Sequence, residues 1–330
     1  MGISFGFVLQ QTILCMIPLL LVALAGAFAE HSGVINLALD GCMIFGAFIG
    51  AIFTKAMIDC GAFEATSQGL YVLSMLVAAA SGALFSLLLS FAAINLKADQ
   101  TIIGTAMNQL APAIVSTFAL LLFNQEKVVS GGNFILIASS YPSKGFGDAV
   151  ANNAFLGFFF DKVYLSTYLG IVIFVLLSIW MYKSKIGTHM RACGEHPGAA
   201  DSVGINVYRM RYLGTSISGA LGGLGGFIYI ATVAATTAES SVGGMGFLAL
   251  AIMIFGNWKP LTIALGSFLF GFLKCLGVLS AQIPFLAALN LPMYFYNMVP
   301  YIVVIIVLVI THKKSGVPKA EGIPYDKGSR

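Results

Sequence analysis

Asp40 carries the sharpest chemical demand in this chain. It stands in VINLALDGCMIFG, with apolar residues on both sides. A carboxylate within a long apolar run is costly and is expected to face a bundle interior or water. Asn36 precedes it by one helical turn on the same face, and Gly41 beside it allows another backbone to approach. This set either grips the hydroxyls of a polar solute or caps backbone groups freed where a helix breaks. A second polar set lies in TIIGTAMNQLAPAIV, where Thr101, Thr105 and Asn108 recur at helical spacing. Such a stripe either lines a cavity or holds helix to helix. Met245, Phe247 and Phe45 offer apolar and aromatic faces. Apolar walls with a few convergent polar groups suit a neutral ring compound bearing hydroxyls. Lys274, in mid-span, either snorkels to an interface or meets a carboxylate that the sequence does not identify.

Catalytic and metal chemistry find little footing. His189, His196 and His312 have no ligand or triad spacing, and Cys15, Cys42, Cys60, Cys193 and Cys275 are scattered and odd in number. That pattern gives neither a disulfide framework nor a metal set. No GxxxxGK[ST] stretch occurs, so the chain itself is not expected to bind ATP through a phosphate loop. Gly219 to Gly226 reads as tight helix packing, within the chain or against a second copy. The expectation is a protein that is not an enzyme and holds no cofactor.

The elements that must position these residues are membrane spans. Of 330 residues 58% are hydrophobic and 9% charged, far below the ~25% charged residues of soluble domains. The fold class is an all-α polytopic transmembrane bundle of about nine spans (eight to ten), since each needs ~20 apolar residues. They fall near 7–29, 33–54, 70–95, 101–123, 164–182, 212–233, 244–257, 260–281 and 297–311, within a transmembrane domain of residues 1–312. The net charge of +4 calls for no nucleic acid. With 183–211 inside, Lys97, Lys183, Lys185, Arg191, Arg209, Arg211, Lys259, Lys313, Lys314, Lys319, Lys327 and Arg330 are inner, and Lys55, Lys127, Lys144 and Lys162 outer. The 124–163 segment is the main outer loop, and 313–330 reads as a disordered cytoplasmic tail.

Leu37-Ala38-Leu39 followed by Met43-Ile44-Phe45-Gly46 recurs as Leu248-Ala249-Leu250 followed by Met253-Ile254-Phe255-Gly256. Paired, glycine-interrupted apolar segments mark the substrate path of a transporter, where freed backbone can face a cavity. Two broken helices near mid-membrane, related by pseudosymmetry, are expected.

Between spans, YKSKIGTHMRACGEHPGAADSVGINVYRMRY is short and basic, which keeps it cytoplasmic. Ile186 to Ala192 can form one or two turns, Gly194 lets the chain reverse, Pro197 suits a first helical position and Gly204 a stop. It is either an ordered docking knob or a plain basic loop.

GEHPGAADSVGIN and YRMRYLGTSISGALGGLGG resemble the coupling loop of permease subunits of ABC importers, in the branch moving nucleosides, ribose-type sugars and branched-chain amino acids. The matching positions are Gly194, Glu195, Pro197, Ala200, Asp201, Gly204 and Ile205. EHSGVINLALDGCMIFGAF and VGGMGFLALAIMIFGNWKP resemble hallmark stretches of the nucleoside-type permeases. The family often has Arg where His31 and Met245 stand, and Glu where Asp40 stands. The resemblance implies a permease in the bacterial cytoplasmic (inner) membrane, with a cytoplasmic ATPase subunit that holds ATP and Mg. It also implies a second permease and an external substrate-binding lipoprotein. The expected solute is nucleoside-like, with a ribose-type sugar or riboflavin as alternatives. On the residues alone an ion-coupled secondary transporter using Asp40, Lys274 or Glu30 also stays open.

Overall fold

The computed structural model describes residues 5–137, 148–150, 152–280, 282–283, 289, 291–311 and 316–327. Part of the expected outer loop, with Lys144, and Lys313, Lys314 and Arg330 lie outside these residues. Helix α1 spans Phe5–His31, α2 Leu39–Asp59, and α3 Gln68–Ser90 with a π-turn over Phe91–Asn95. Then follow α4 Gln100–Phe123, the short α5 Ala154–Phe160, α6 Leu165–Lys183, α7 Lys185–Glu195 and α8 Pro197–Ser202. The remainder is α9 Val207–Thr232, α10 Met245–Phe255, α11 Pro260–Val278 and α12 Met293–Thr311.

Among the described residues seven helices are long and apolar enough to cross a membrane: α1, α2, α3 with its π-turn, α4, α6, α9 and α11. Two further apolar helices, α10 and the core of α12, are shorter. The protein is therefore a multi-pass helical bundle. Its centre is α1, whose most apolar window is 89% buried, against 28% for α4. Leu76, Leu84, Leu121, Leu176 and Leu261 point outward from α3, α4, α6 and α11, as lipid-facing positions do.

Glycine allows α9 to reach the centre beside α1. A Cβ on Gly46 or Gly82 would collide with the backbone of Gly223, and one on Gly226 with that of Met43. The Gly219–Gly226 run is thus used inside the chain, against α2 and α3, rather than against a second copy. Small-residue stripes drive such contacts because lipid gives helices no hydrophobic reason to associate.

The two glycine-interrupted segments are both broken. After α1 the chain runs non-helically over residues 32–38 before α2 begins. Ser32 packs at Gly214 and Cys42 at Gly222, eight positions along α9, so α2 starts about 12 Å deeper in the bundle. In the other segment the chain leaves α9, passes Gly243 and Gly244 at φ 61° and 70°, and starts α10. Its 11 residues make about 16 Å of helix, roughly half of a ~30 Å hydrocarbon core. The sequence repeat does not map onto equal positions. Leu37-Ala38-Leu39 precedes all but the first residue of α2, whereas Leu248-Ala249-Leu250 lies inside α10.

At one end of the bundle two small ladders tie loops together. Strand β1 (Val128–Val129) pairs antiparallel with β4 (Thr237–Ala238), and β2 (Ile135–Leu136) with β3 (Val163–Tyr164). At the other end α7 and α8 form the knob. The α7 helix runs through Gly194 instead of reversing there, and the turn falls at His196. Gly194 is flush on the His31 carbonyl, where no Cβ fits.

The tail expected to be disordered is in contact over residues 316–327. Gly316 N–H donates to the Asn257 side chain, and Ala320 N–H donates to the Gly194 carbonyl at 2.8 Å. Lys97 pairs with Asp326 at 2.6 Å, Lys327 with Asp201 at 3.7 Å, and Tyr325 packs on Tyr208 at 5.6 Å between ring centroids. Its Gly and Pro content describes the freedom of the isolated segment; charge pairing and a backbone bond oppose that freedom here.

Candidate functional site: two helix starts locked together

The N-termini of α2 and α10 meet head to head. A helix start leaves backbone N–H groups without intrahelical partners, and in a bundle without water they need acceptors. Asp40, in the first turn of α2, supplies one: its Oδ1 accepts from Gly246 N–H of α10 at 2.8 Å. Gly246 is the position that permits this, because a Cβ there would overlap the Asp40 backbone. Asn108 of α4 does the same for α2. Its Oδ1 accepts from Gly41 N–H at 2.8 Å, and its Nδ2 donates to the Leu37 carbonyl at 2.7 Å.

The non-helical segment is pinned equally. Asn36 is fully buried, donates to Ser218 Oγ at 2.8 Å, and accepts from Ala38 N–H at 3.1 Å. Ile35 N–H donates to Gln100 Oε1 at 2.7 Å. Gly33, at φ +90°, sits against the guanidinium of Arg211, which is itself 1% exposed. Asp40, Gly41 and Asn108 thus tie the starts of α2 and α10, and Asn36 fixes the segment before them; Met245 is the buried first residue of α10.

Thr105 and Phe247 lie elsewhere. The Thr105 hydroxyl bonds its own helix at the Thr101 and Ile102 carbonyls, on the exposed face of α4. Phe247 is 48% exposed. The stripe Thr101–Thr105–Asn108 therefore splits, with Asn108 turned inward.

Beneath the lock lies a ring of ionisable groups. The Trp258 indole donates to the buried Glu30 carboxylate, and Tyr182 O–H donates to the Trp258 carbonyl at 3.0 Å. Arg191 stacks over Tyr182 at 4.9 Å. Glu321, from the tail, lies close to Glu30, and its burial raises its pKa to about 7. Of the knob residues, Gly194 and Ala200 are internal, packed with Cys193 and Val207, while Glu195 and Gly204 are exposed. Pro197, Asp201 and Ile205 are half-buried. Val203, which the sequence did not single out, is an apolar tip at 75% exposure.

Interrupted helices that meet inside a multi-pass bundle are a way in which transporters build a solute path. Residues 8–308 match the family described as "Branched-chain amino acid transport system / permease component", and the chain belongs to that family. It is 37% identical to the guanosine ABC transporter permease protein NupQ of Bacillus subtilis over 98% of both chains. It is also 36% identical to the nucleoside ABC transporter permease protein NupC of Lactococcus lactis, over 94% of this chain and 93% of that one. The putative glucose ABC transporter permease protein TsgC13 of Haloferax volcanii is 26% identical over 86% of this chain.

Proposed function

We propose that the protein is the transmembrane permease subunit of an ABC importer for nucleosides, seated in the bacterial inner membrane. Similarity to the guanosine and nucleoside permeases over nearly the whole chain, at 37% and 36% identity, supports the solute. The observation that carries the coupling is the seating of the knob. Gly194 is flush on the His31 carbonyl, where the chain enters the broken segment, and Arg211 fills the space beside Gly33. A push on α7 and α8 therefore bears directly on residues 32–38 and on the lock above them.

In this reading α7 and α8 are the coupling helices, and the knob end of the bundle is cytoplasmic. Glu195 and Asp201 supply charge and Val203 an apolar tip for the groove of a separate ATPase, which holds ATP and Mg. The seven long and two shorter apolar helices make nine traversals. A second permease completes the pathway, and an external lipoprotein delivers the solute to the end carrying the β-ladders. Asn36, Asp40, Gly41 and Asn108 hold the gate between the two sides. The test is uptake by the complete system in vesicles, with labelled guanosine challenged by excess ribose, riboflavin or leucine. Competition by unlabelled nucleosides is expected; competition by leucine alone overturns the assignment.

A further inference from the structure

A cavity of about 340 Å³ opens between α1, α9, α11, α12 and the start of α10, on the β-ladder side of the lock. Its lining includes Cys15, Tyr229, Met245, Lys274, Asn297 and Tyr301. Met245 is the first residue of α10, adjoining Gly246, whose N–H is held by Asp40. Asp40 is also within electrostatic range of Tyr229 and Tyr301. Whatever fills the cavity therefore presses on the lock itself.

Two features set this cavity apart from packing defects. Lys274 is an ammonium inside a spanning helix, and among the described residues no carboxylate lies within ion-pair distance. Its Nζ lies 5.3 Å from the Tyr301 ring centroid and within electrostatic range of Cys15. An intramembrane charge held this way marks a solute path. Tyr229 and Tyr301 also offer flat apolar surface, and the Tyr301 hydroxyl is already committed to the Gly243 carbonyl.

We propose that this cavity is a recognition site for the carbonyl-bearing edge of a nucleobase, a proposal that rests on the nucleoside reading above. Lys274 supplies three donors and no acceptor, and the Asn297 amide supplies both. An ammonium matches the adjacent oxygen and ring-nitrogen acceptors of a 6-oxopurine, and an amide adds orientation. The tyrosine rings take the faces of the base. Adenine puts an amino donor where the oxo group would stand, directly against a cation. The site favours guanosine, inosine and uridine over adenosine.

The experiment measures initial ATP-driven uptake of guanosine and adenosine by the complete transporter in proteoliposomes. It compares wild type, Lys274→Met, Lys274→Arg and Asn297→Leu. The binding protein is the same throughout, so a changed guanosine-to-adenosine ratio belongs to the permease, and the ratio is independent of how much protein folds. Lys274→Met is expected to lower that ratio by about tenfold, Lys274→Arg to retain most of it, and Asn297→Leu to lower it less. An unchanged ratio in both Lys274→Met and Asn297→Leu removes the site while leaving nucleoside transport standing. A wild-type complex that moves sugar and no nucleoside removes the underlying reading, and the site with it.

Discussion

Replacing Asp40 separates a holding role from a transport role. In Asp40→Ala the Gly246 N–H loses its acceptor at 2.8 Å, in surroundings with no helix turn before it to compensate. Loss of a helix cap costs about 1 kcal/mol, and a buried donor left unpaired about 1–3 kcal/mol. Helix α10 has little reserve, since 11 residues fall below the ~12–15 at which isolated helices are even marginal. We expect Asp40→Ala to destabilise the transporter by about 1–3 kcal/mol, seen as a lower melting temperature in detergent and reduced uptake. Asp40→Asn keeps an acceptor oxygen of the same reach and ranks with Asp as a cap, so its melting temperature and uptake should stay near wild type. If Asp40→Asn melts like wild type yet transports no better than Asp40→Ala, the charge itself takes part in transport and a purely structural role is refuted; an unchanged melting temperature in Asp40→Ala refutes the capping argument.

Three further outcomes follow from other contacts. Gly46→Val drives a side chain into the Gly223 backbone and should cost several kcal/mol, beyond the ~1–3 of ordinary overpacking; Gly198→Ala, which meets open space, should be silent in the same melting assay. The Glu195→Lys, Asp201→Lys double variant reverses charge on the knob and should leave ATP hydrolysis running with little uptake; a wild-type uptake rate would remove the docking role. Glu321 is raised to about 7 by burial, above its ordinary 4.5, so its docked form favours the proton. Docking of residues 316–327 should weaken as pH rises from about 4.5 through about 7, a window in which the Asp201 and Asp326 ion pairs stay charged. Hydrogen exchange at the Ala320 amide, corrected for intrinsic rates, should report this, and Glu321→Gln should flatten the profile.

The broken segments were legible because glycine and polar residues interrupt apolar runs at Gly33, Asp40 and Gly243-Gly244, and a helix cannot hide that. Asn108 was legible as polar in an apolar helix, but spacing alone could not separate it from Thr105. An inward amide and an outward hydroxyl bonded to its own helix have the same periodicity over two turns. The capping role of Asp40 was one of two readings, and its partner Gly246, 206 positions away, is too remote in sequence for any local pattern to name. The cavity around Lys274 joins five helices, from α1 to α12, so no local pattern announces it. The docked tail was misread for the same reason. Its partners Lys97, Gly194, Asp201 and Asn257 are distant along the chain, and composition reports only what a segment does alone. The helix through Gly194 was underestimated because a glycine that ends helices in isolation also lets one lie flush on a neighbour.

The glycine contacts among α2, α3 and α9 bear on how such a protein can be recombined. Gly46, Gly82, Gly223 and Gly226 meet backbone to backbone, so at these four positions no flexible side chain is present to absorb a mismatch. A chimera that imports α9 alone from a relative with a differently spaced stripe would misalign all these crossings together. The three helices form a single module for inheritance and engineering, to be exchanged as a block. A helix such as α6, which gives no group to the lock and whose outward face need only suit lipid, can be exchanged alone. Domain-swap experiments that map solute preference should therefore cut in the loops flanking α11 and α12 and leave the glycine block intact.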